Sequence, residues 1–264
     1  MKKFIALALL IFASIACHTE VIQVDKNSSS SFVSYVPTQT LYWKAINAKA
    51  LVVLVPGGNG NLGLKRDDTE IDVSFYKSLK ALSEPNQVYG QFDVVVIDFP
   101  LALNQRDLSS RASNEHMVRI ERVVDFYRHK THLPIWLMGH SNAGVSLGHF
   151  IRYLQSNKKS GLLSGMIASA IRNESSFIFN ESVEFPVLFI HHKRDECPSA
   201  SSVYSLINHD RLKRSTPKQV QFEWMNSGES ESKDPCQSGF HMYYGSGFEL
   251  PNIIREFMMK HSNI

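Results

Sequence analysis

With 264 residues, the chain is long enough for one well-buried domain of the larger α/β kind, and its 43% hydrophobic and 20% charged content excludes disorder as its ground state. A formal net charge of +3, with Lys and Arg scattered, argues against a nucleic-acid groove or an acidic partner.

Residues 1–16 read as a signal peptide. Lys2 and Lys3 form a positive end, residues 4–13 form an apolar core too short for an ordinary membrane span, and Ser14 and Ala16 supply small residues before a cleavage point. Cys17 follows, as in a bacterial lipoprotein signal, and a lipid there would tether the protein to a membrane. Ser14 and Ile15 depart from that pattern, so simple secretion stays open. Either route predicts a secreted, periplasmic or membrane-anchored location.

Residues 17–31, ending in Asn27 and four serines, predict a polar tether, and residues 32–264 a single domain. Aromatic and β-branched content at 32–36 and 40–46 predicts two strands paired as a hairpin. The unbroken apolar run 51–55 reads as a strand covered on both faces, and so does 93–98. Helices are expected at 75–82 and at 113–127, where Met117, Ile120, Val123, Val124 and Tyr127 recur at helical spacing. Beyond the strand at 135–138 come a helix carrying Val145, Leu147 and Ile151, strands at 165–169 and 186–190, a helix at 200–207, a strand at 219–225 and a closing helix at 251–259. Strands alternating with helices predict a doubly wound, mostly parallel sheet, whose ligands bind beyond the carboxyl ends of its strands.

The chemistry centres on Gly139-His140-Ser141-Asn142-Ala143, between a strand and a helix. A serine there sits on a sharp turn, and small residues two before and two after it avoid collision with the turn. The pattern resembles the nucleophile elbow of the α/β-hydrolase superfamily, with Ala for the last Gly. That resemblance covers the chain from about Leu51 to the final helix. It implies an α/β-hydrolase fold with a catalytic acid after a late strand and a histidine in a loop before the last helix. Asp195, after the strand at 186–190, fits the acid, with Glu196 as its rival, and His241 fits the base. The order Ser141, Asp195, His241 is the family's order along the chain.

Val55-Pro-Gly-Gly-Asn-Gly60 takes the place where the family has its oxyanion loop, although Pro56 stands for the usual His. Gly58 or Asn59 is expected to give one backbone donor and Asn142 the other. A phosphate-cradling loop is disfavoured because no G-K-[ST] ending follows.

The chain has three Cys. If Cys17 carries a lipid, Cys197 and Cys236 remain, either bridged, which would tie the acid loop to the base loop, or as two buried thiols. His140 is expected at the pocket mouth, and His191 and His192 in supporting or core positions, since neighbours on a strand face opposite ways. No metal or organic cofactor is implied. The short segment 171–184, with Phe177, Ile178 and Phe179, leaves room for only a small flap. The implied reaction is acyl transfer from a small-molecule ester to water, with a peptide substrate second and a non-catalytic binding or envelope protein of the same fold third.

Overall fold

A computed structural model describes residues 18–24, 36–71, 73–84, 91–104, 106–179, 182–216, 219–229 and 232–262. Among these, β1 (His18–Gln23), β2 (Gln39–Lys44), β3 (Ala50–Val55), β4 (Phe92–Asp98), β5 (Ile135–His140), β6 (Gly165–Ser169), β7 (Val187–His192) and β8 (Val220–Met225) form one sheet in the order β1-β2-β4-β3-β5-β6-β7-β8. β1 pairs antiparallel with β2, and β2 antiparallel with β4; every later pair is parallel.

The helices are α1 (Ser74–Lys80), α2 (Leu108–Ala112), α3 (Asn114–Thr131), α4 (Ala143–Ser156), α5 (Ser202–Ser215), α6 (Gly239–Met242) and α7 (Glu249–His261). The unbroken apolar run of β3 serves two cores. Leu51, Val53 and Val55 face α3 and α4, packing with Met117, Ile120, Val124, Leu147 and Phe150. Ala50, Val52 and Leu54 face α1 and α7, packing with Phe75, Leu79, Ile254 and Phe257. A period of two puts alternate side chains on opposite faces, and both faces are dry, so every position must be apolar.

The amino-terminal end differs from the sequence reading. His18–Gln23 lies within the stretch expected to be a tether, yet it is an edge strand in register with β2, Val21 opposite Leu41 and Ile22 opposite Thr40. Its Thr, Val and Ile are β-branched, and Val21 and Ile22 pack toward opposite cores, which is why the segment pays its ordering entropy. The partner of β2 is therefore β1 rather than a strand at 32–36; residues 32–35 fall outside the described residues.

The lid region is folded down. Within 170–179 and 182–186 no helix forms. Phe177 is buried in the α3–α4 core, its N–H donates to Asn208 Oδ1 (3.1 Å), and Arg152 Nη1 donates to the Ser176 carbonyl (3.0 Å). Its described residues pack on α4 and α5.

Candidate active site

Ser141 follows β5 directly and has φ of 55°, in the left-handed region that costs a residue with a Cβ about 1–2 kcal/mol. The turn is held by its surroundings. The Ser141 N–H donates to the Ser169 carbonyl (3.0 Å), and its own carbonyl accepts from the N–H groups of Gly144 (2.9 Å) and Arg172 (3.1 Å). Small neighbours are obligatory: a Cβ on Gly139 would lie 2.9 Å from Leu147 Cγ and 3.0 Å from Ala143 Cβ. The sequence reading of the elbow matches this geometry.

Ser141 Oγ lies 3.1 Å from His241 Nε2, and His241 Nδ1 lies 2.8 Å from Asp195 Oδ2. The three residues come from β5, β7 and the region after β8, brought together at the carboxyl edge of the sheet. His241 is not in a loop but in the four-residue α6, where the Ser238 hydroxyl accepts its N–H (3.3 Å). Two contacts fix α6. Gly239 packs so tightly that a Cβ would sit 1.4 Å from the Glu229 carbonyl oxygen, and the Tyr243 hydroxyl donates to the Ile190 carbonyl (3.3 Å) at the end of β7.

Asp195 is the carboxylate that meets the ring, its side chain fully buried, whereas Glu196 is exposed. Asp195 Oδ1 accepts the Cys197 N–H (2.9 Å), and Oδ2 also lies 3.0 Å from His191 Nε2, whose Nδ1 is 2.8 Å from Ser205 Oγ. Burial pushes the Asp195 carboxyl upward, but His191, His241 and the Cys197 N–H together outweigh it and hold the group well below the usual carboxylate range. It is ionised throughout the neutral range.

A disulfide joins Cys197 to Cys236, 39 residues apart, and ties the Asp195 loop to the segment leading into α6. His140 departs from expectation. It is buried, stacks on Phe75 at 4.2 Å between ring centroids, and sets its Nδ1 3.1 Å from Ser169 Oγ. As the last residue of β5 its side chain faces the α1 layer, so it underlies the site instead of lining a mouth. Burial, then the nearby His241, lowers its pKa well below the ordinary value and keeps it neutral.

The glycine-rich loop after β3 runs beside the elbow: a Cβ on Gly57 would be 3.3 Å from Ser141 Cβ and 2.8 Å from the His140 carbonyl oxygen. The Gly60 N–H closes a turn onto the Gly57 carbonyl (2.9 Å), and Gly58 takes φ of 53°. Asn142 Nδ2 donates to the Gly58 carbonyl (2.9 Å) while its Oδ1 accepts from Arg172 Nη1 (3.1 Å). Among the described residues, no backbone acceptor takes the N–H of Gly58, Asn59 or Asn142. The loop thus passes the elbow at Gly57, Asn142 follows the serine directly, and the N–H groups of the three expected donors are uncommitted to the backbone.

The sequence reading missed Arg111. It lies on α2, itself unforeseen, is fully buried, and reaches the carbonyls of Pro56, Gly57 and Gly58. An arginine amid the polar residues 104–116 carries no signal of burial, and that stretch has no apolar periodicity to mark a helix packed on the core. Among the described residues, no cluster of His, Cys, Asp and Glu has the makings of a metal site.

No protein-family model and no curated protein matches the sequence. Solved structures do match in three dimensions. An esterase from Pyrobaculum calidifontis aligns over 93% of this chain and 86% of its own, with a TM-score of 0.56 at 13% identity. A serine hydrolase from Xanthomonas campestris, described as lacking a lid, aligns over 86% of this chain and 91% of its own (TM-score 0.55, 13% identity). An acylaminoacyl peptidase from Pyrococcus horikoshii aligns over 86% of this chain and 40% of its own (TM-score 0.55, 15% identity). Likeness at such identities speaks to architecture: this chain has the α/β-hydrolase fold.

Proposed function

We propose that the protein is a serine hydrolase that transfers an acyl group from an ester to water, acting on small or medium acyl chains. The observation that carries this reading is the unbroken hydrogen-bonded row from Ser141 Oγ through the His241 ring to Asp195 Oδ2. A hydroxyl is a weak nucleophile until a base takes its proton as it attacks, and neutral imidazole is suited to that near neutral pH. Asp195, kept ionised, accepts Nδ1–H, so Nε2 is the free acceptor facing Ser141, and it steadies the imidazolium once formed.

In the first step Ser141 Oγ bonds to the ester carbonyl carbon as His241 Nε2 takes the hydroxyl proton. The carbonyl oxygen becomes an oxyanion, which the N–H groups of Gly58 or Asn59 and of Asn142 stabilise. Collapse breaks the bond to the leaving alkoxide, which takes the proton from His241. Water, deprotonated by the same ring, then attacks the acyl-enzyme; the acid leaves and the proton returns to Ser141. Oxyanion donors act on charge that develops only on the way to the transition state, so they lower the barrier more than they tighten binding.

The described residues between β6 and β7 are tied to α4 and α5, with Phe177 buried, which supports a short acyl chain, since a long one needs apolar cover to leave water. The test is a series of p-nitrophenyl esters of rising chain length, run beside aminoacyl amides, with labelling by a fluorophosphonate. Wild type should label and prefer short esters, and Ser141→Ala should do neither. Preferential amide cleavage would replace the esterase reading with a peptidase. Folded wild type that neither labels nor turns over would leave a binding protein.

A further inference from the structure

We infer that Arg111 is a positioning residue for the oxyanion loop, its guanidinium setting the direction in which the backbone N–H groups of Gly58 and Asn59 point. The inference rests on the serine-hydrolase reading above. Arg111 Nη1 donates to the Pro56 carbonyl (3.1 Å), and Nη2 donates to the carbonyls of Gly57 (3.2 Å) and Gly58 (3.1 Å). Three successive carbonyls thus converge on one cation. In a trans peptide the N–H points opposite to the C=O of the same plane, so the N–H groups of Gly57, Gly58 and Asn59 are turned away from the guanidinium.

These three are not equivalent. Gly57 is packed against the elbow itself, a Cβ on it falling 2.8 Å from the His140 carbonyl oxygen and 3.3 Å from Ser141 Cβ. Gly58 and Asn59 remain, and a loop of Pro-Gly-Gly-Asn-Gly has little stiffness of its own to keep their planes in one orientation. A charged, planar fork that engages three carbonyls supplies that stiffness.

The clamp is itself braced. Arg111 Nη1 also donates to Ser146 Oγ (3.2 Å) on α4, the helix that starts at the elbow, and Ser146 lies 2.9 Å from His116 Nε2 on α3. Burial, then the neighbouring Arg111 and Arg119, pushes the His116 ring down to about 3, so it stays neutral beside the Ser146 hydroxyl. One chain of bonds therefore refers the oxyanion loop to the same helix that carries the serine turn. Preorganised donors stabilise an oxyanion without reorganising at the moment of reaction, which is what a rigid reference provides.

The experiment compares full-length wild type with Arg111→Lys, Arg111→Met and Arg111→Ala, each verified as folded by circular dichroism. Readouts are kcat and KM on a p-nitrophenyl ester, and affinity for a trifluoromethyl ketone, which forms an oxyanion on Ser141, set against a product carboxylate, which does not. Loss of one oxyanion donor typically costs ~10²–10³-fold in kcat. Arg111→Met should accordingly lose about 10²-fold in kcat and in ketone affinity, with KM and product affinity within about threefold. Arg111→Lys, a point charge unable to span three carbonyls, should fall between. Added guanidinium should restore kcat in Arg111→Ala saturably, an effect that a brace for the fold alone would not produce. Folded variants with wild-type kcat and ketone affinity would overturn the inference, whatever their melting points. If only Arg111→Lys folds, wild-type kinetics in that variant overturn it equally. Inactivity of wild type itself would instead defeat the serine-hydrolase reading.

Discussion

Removing the Cys197–Cys236 bridge tests how the acid and the base are kept in one frame. The bond closes a loop with a sequence separation of 39, which includes β8 and links the Asp195 loop to the entry of α6. Loop-closure entropy for about 40 residues amounts to about 13 cal/mol/K, or about 4 kcal/mol at room temperature. For a chain of this size, that corresponds to a fall in Tm of about 8–16 °C. Catalysis should suffer far less. Asp195 keeps the Cys197 N–H, α6 keeps its Ser238 cap, and Tyr243 still reaches the Ile190 carbonyl. The Cys197→Ser/Cys236→Ser double variant, measured well below both melting points, should therefore retain ester kcat within about threefold. Urea and thermal melts of wild type with and without reductant, beside the double variant, give the stability difference. A Tm change under about 2 °C would refute the loop-closure reasoning, and a large kcat loss at unchanged fold would show that the bridge, not these hydrogen bonds, aligns the row.

Three further outcomes are expected. Ser141→Gly should be more stable than Ser141→Ala by about 1 kcal/mol in urea melts, because glycine relieves the Cβ strain at φ of 55°. Gly239→Ala should destabilise the protein by several kcal/mol, of the order of the ~4 kcal/mol that marks exceptional substitutions, and should abolish ester turnover, since a Cβ 1.4 Å from the Glu229 carbonyl oxygen must displace α6; near-native melting would contradict the packing described. Asp195→Asn should lower kcat by about 10⁴-fold while Glu196→Gln leaves it near wild type. Because the folded-state pKa of Asp195 is depressed, its stabilisation is complete above the unfolded value of about 3.9 and is lost as pH falls below it. The stability gap between wild type and Asp195→Asn should accordingly be widest at neutral pH and narrow on acidification; a gap that widened in acid would reverse the sign of this argument.

The parts of the fold that depend on burying a continuous apolar run were legible in the sequence. Residues 51–55, 93–98, 135–138 and 165–169 each lie in a strand buried on both faces, because no other short structure hides such a run completely. The row of Ser141, Asp195 and His241 was legible through chain order and local context, which place each residue beyond the carboxyl end of a strand, His241 at some distance from β8. What escaped was set by contacts distant in sequence. β1 is six residues of mixed polarity whose strand character comes from pairing with β2. α6 is a single turn shaped by Gly239 and Ser238. Arg111 is buried only because three carbonyls, more than fifty residues earlier, turn toward it. Neither propensity nor periodicity encodes such an encounter.

The placement of β1 bears on how the protein would meet its substrates. The strand runs parallel to β4 at the outer edge of the sheet, so His18 is at the amino edge and the serine is at the carboxyl edge. If Cys17 carries a lipid, the attachment point adjoins His18, separated from the edge that holds the serine by at least the length of a six-residue strand, about 20 Å. A membrane tether attached there would leave the serine at the edge of the sheet away from the point of attachment.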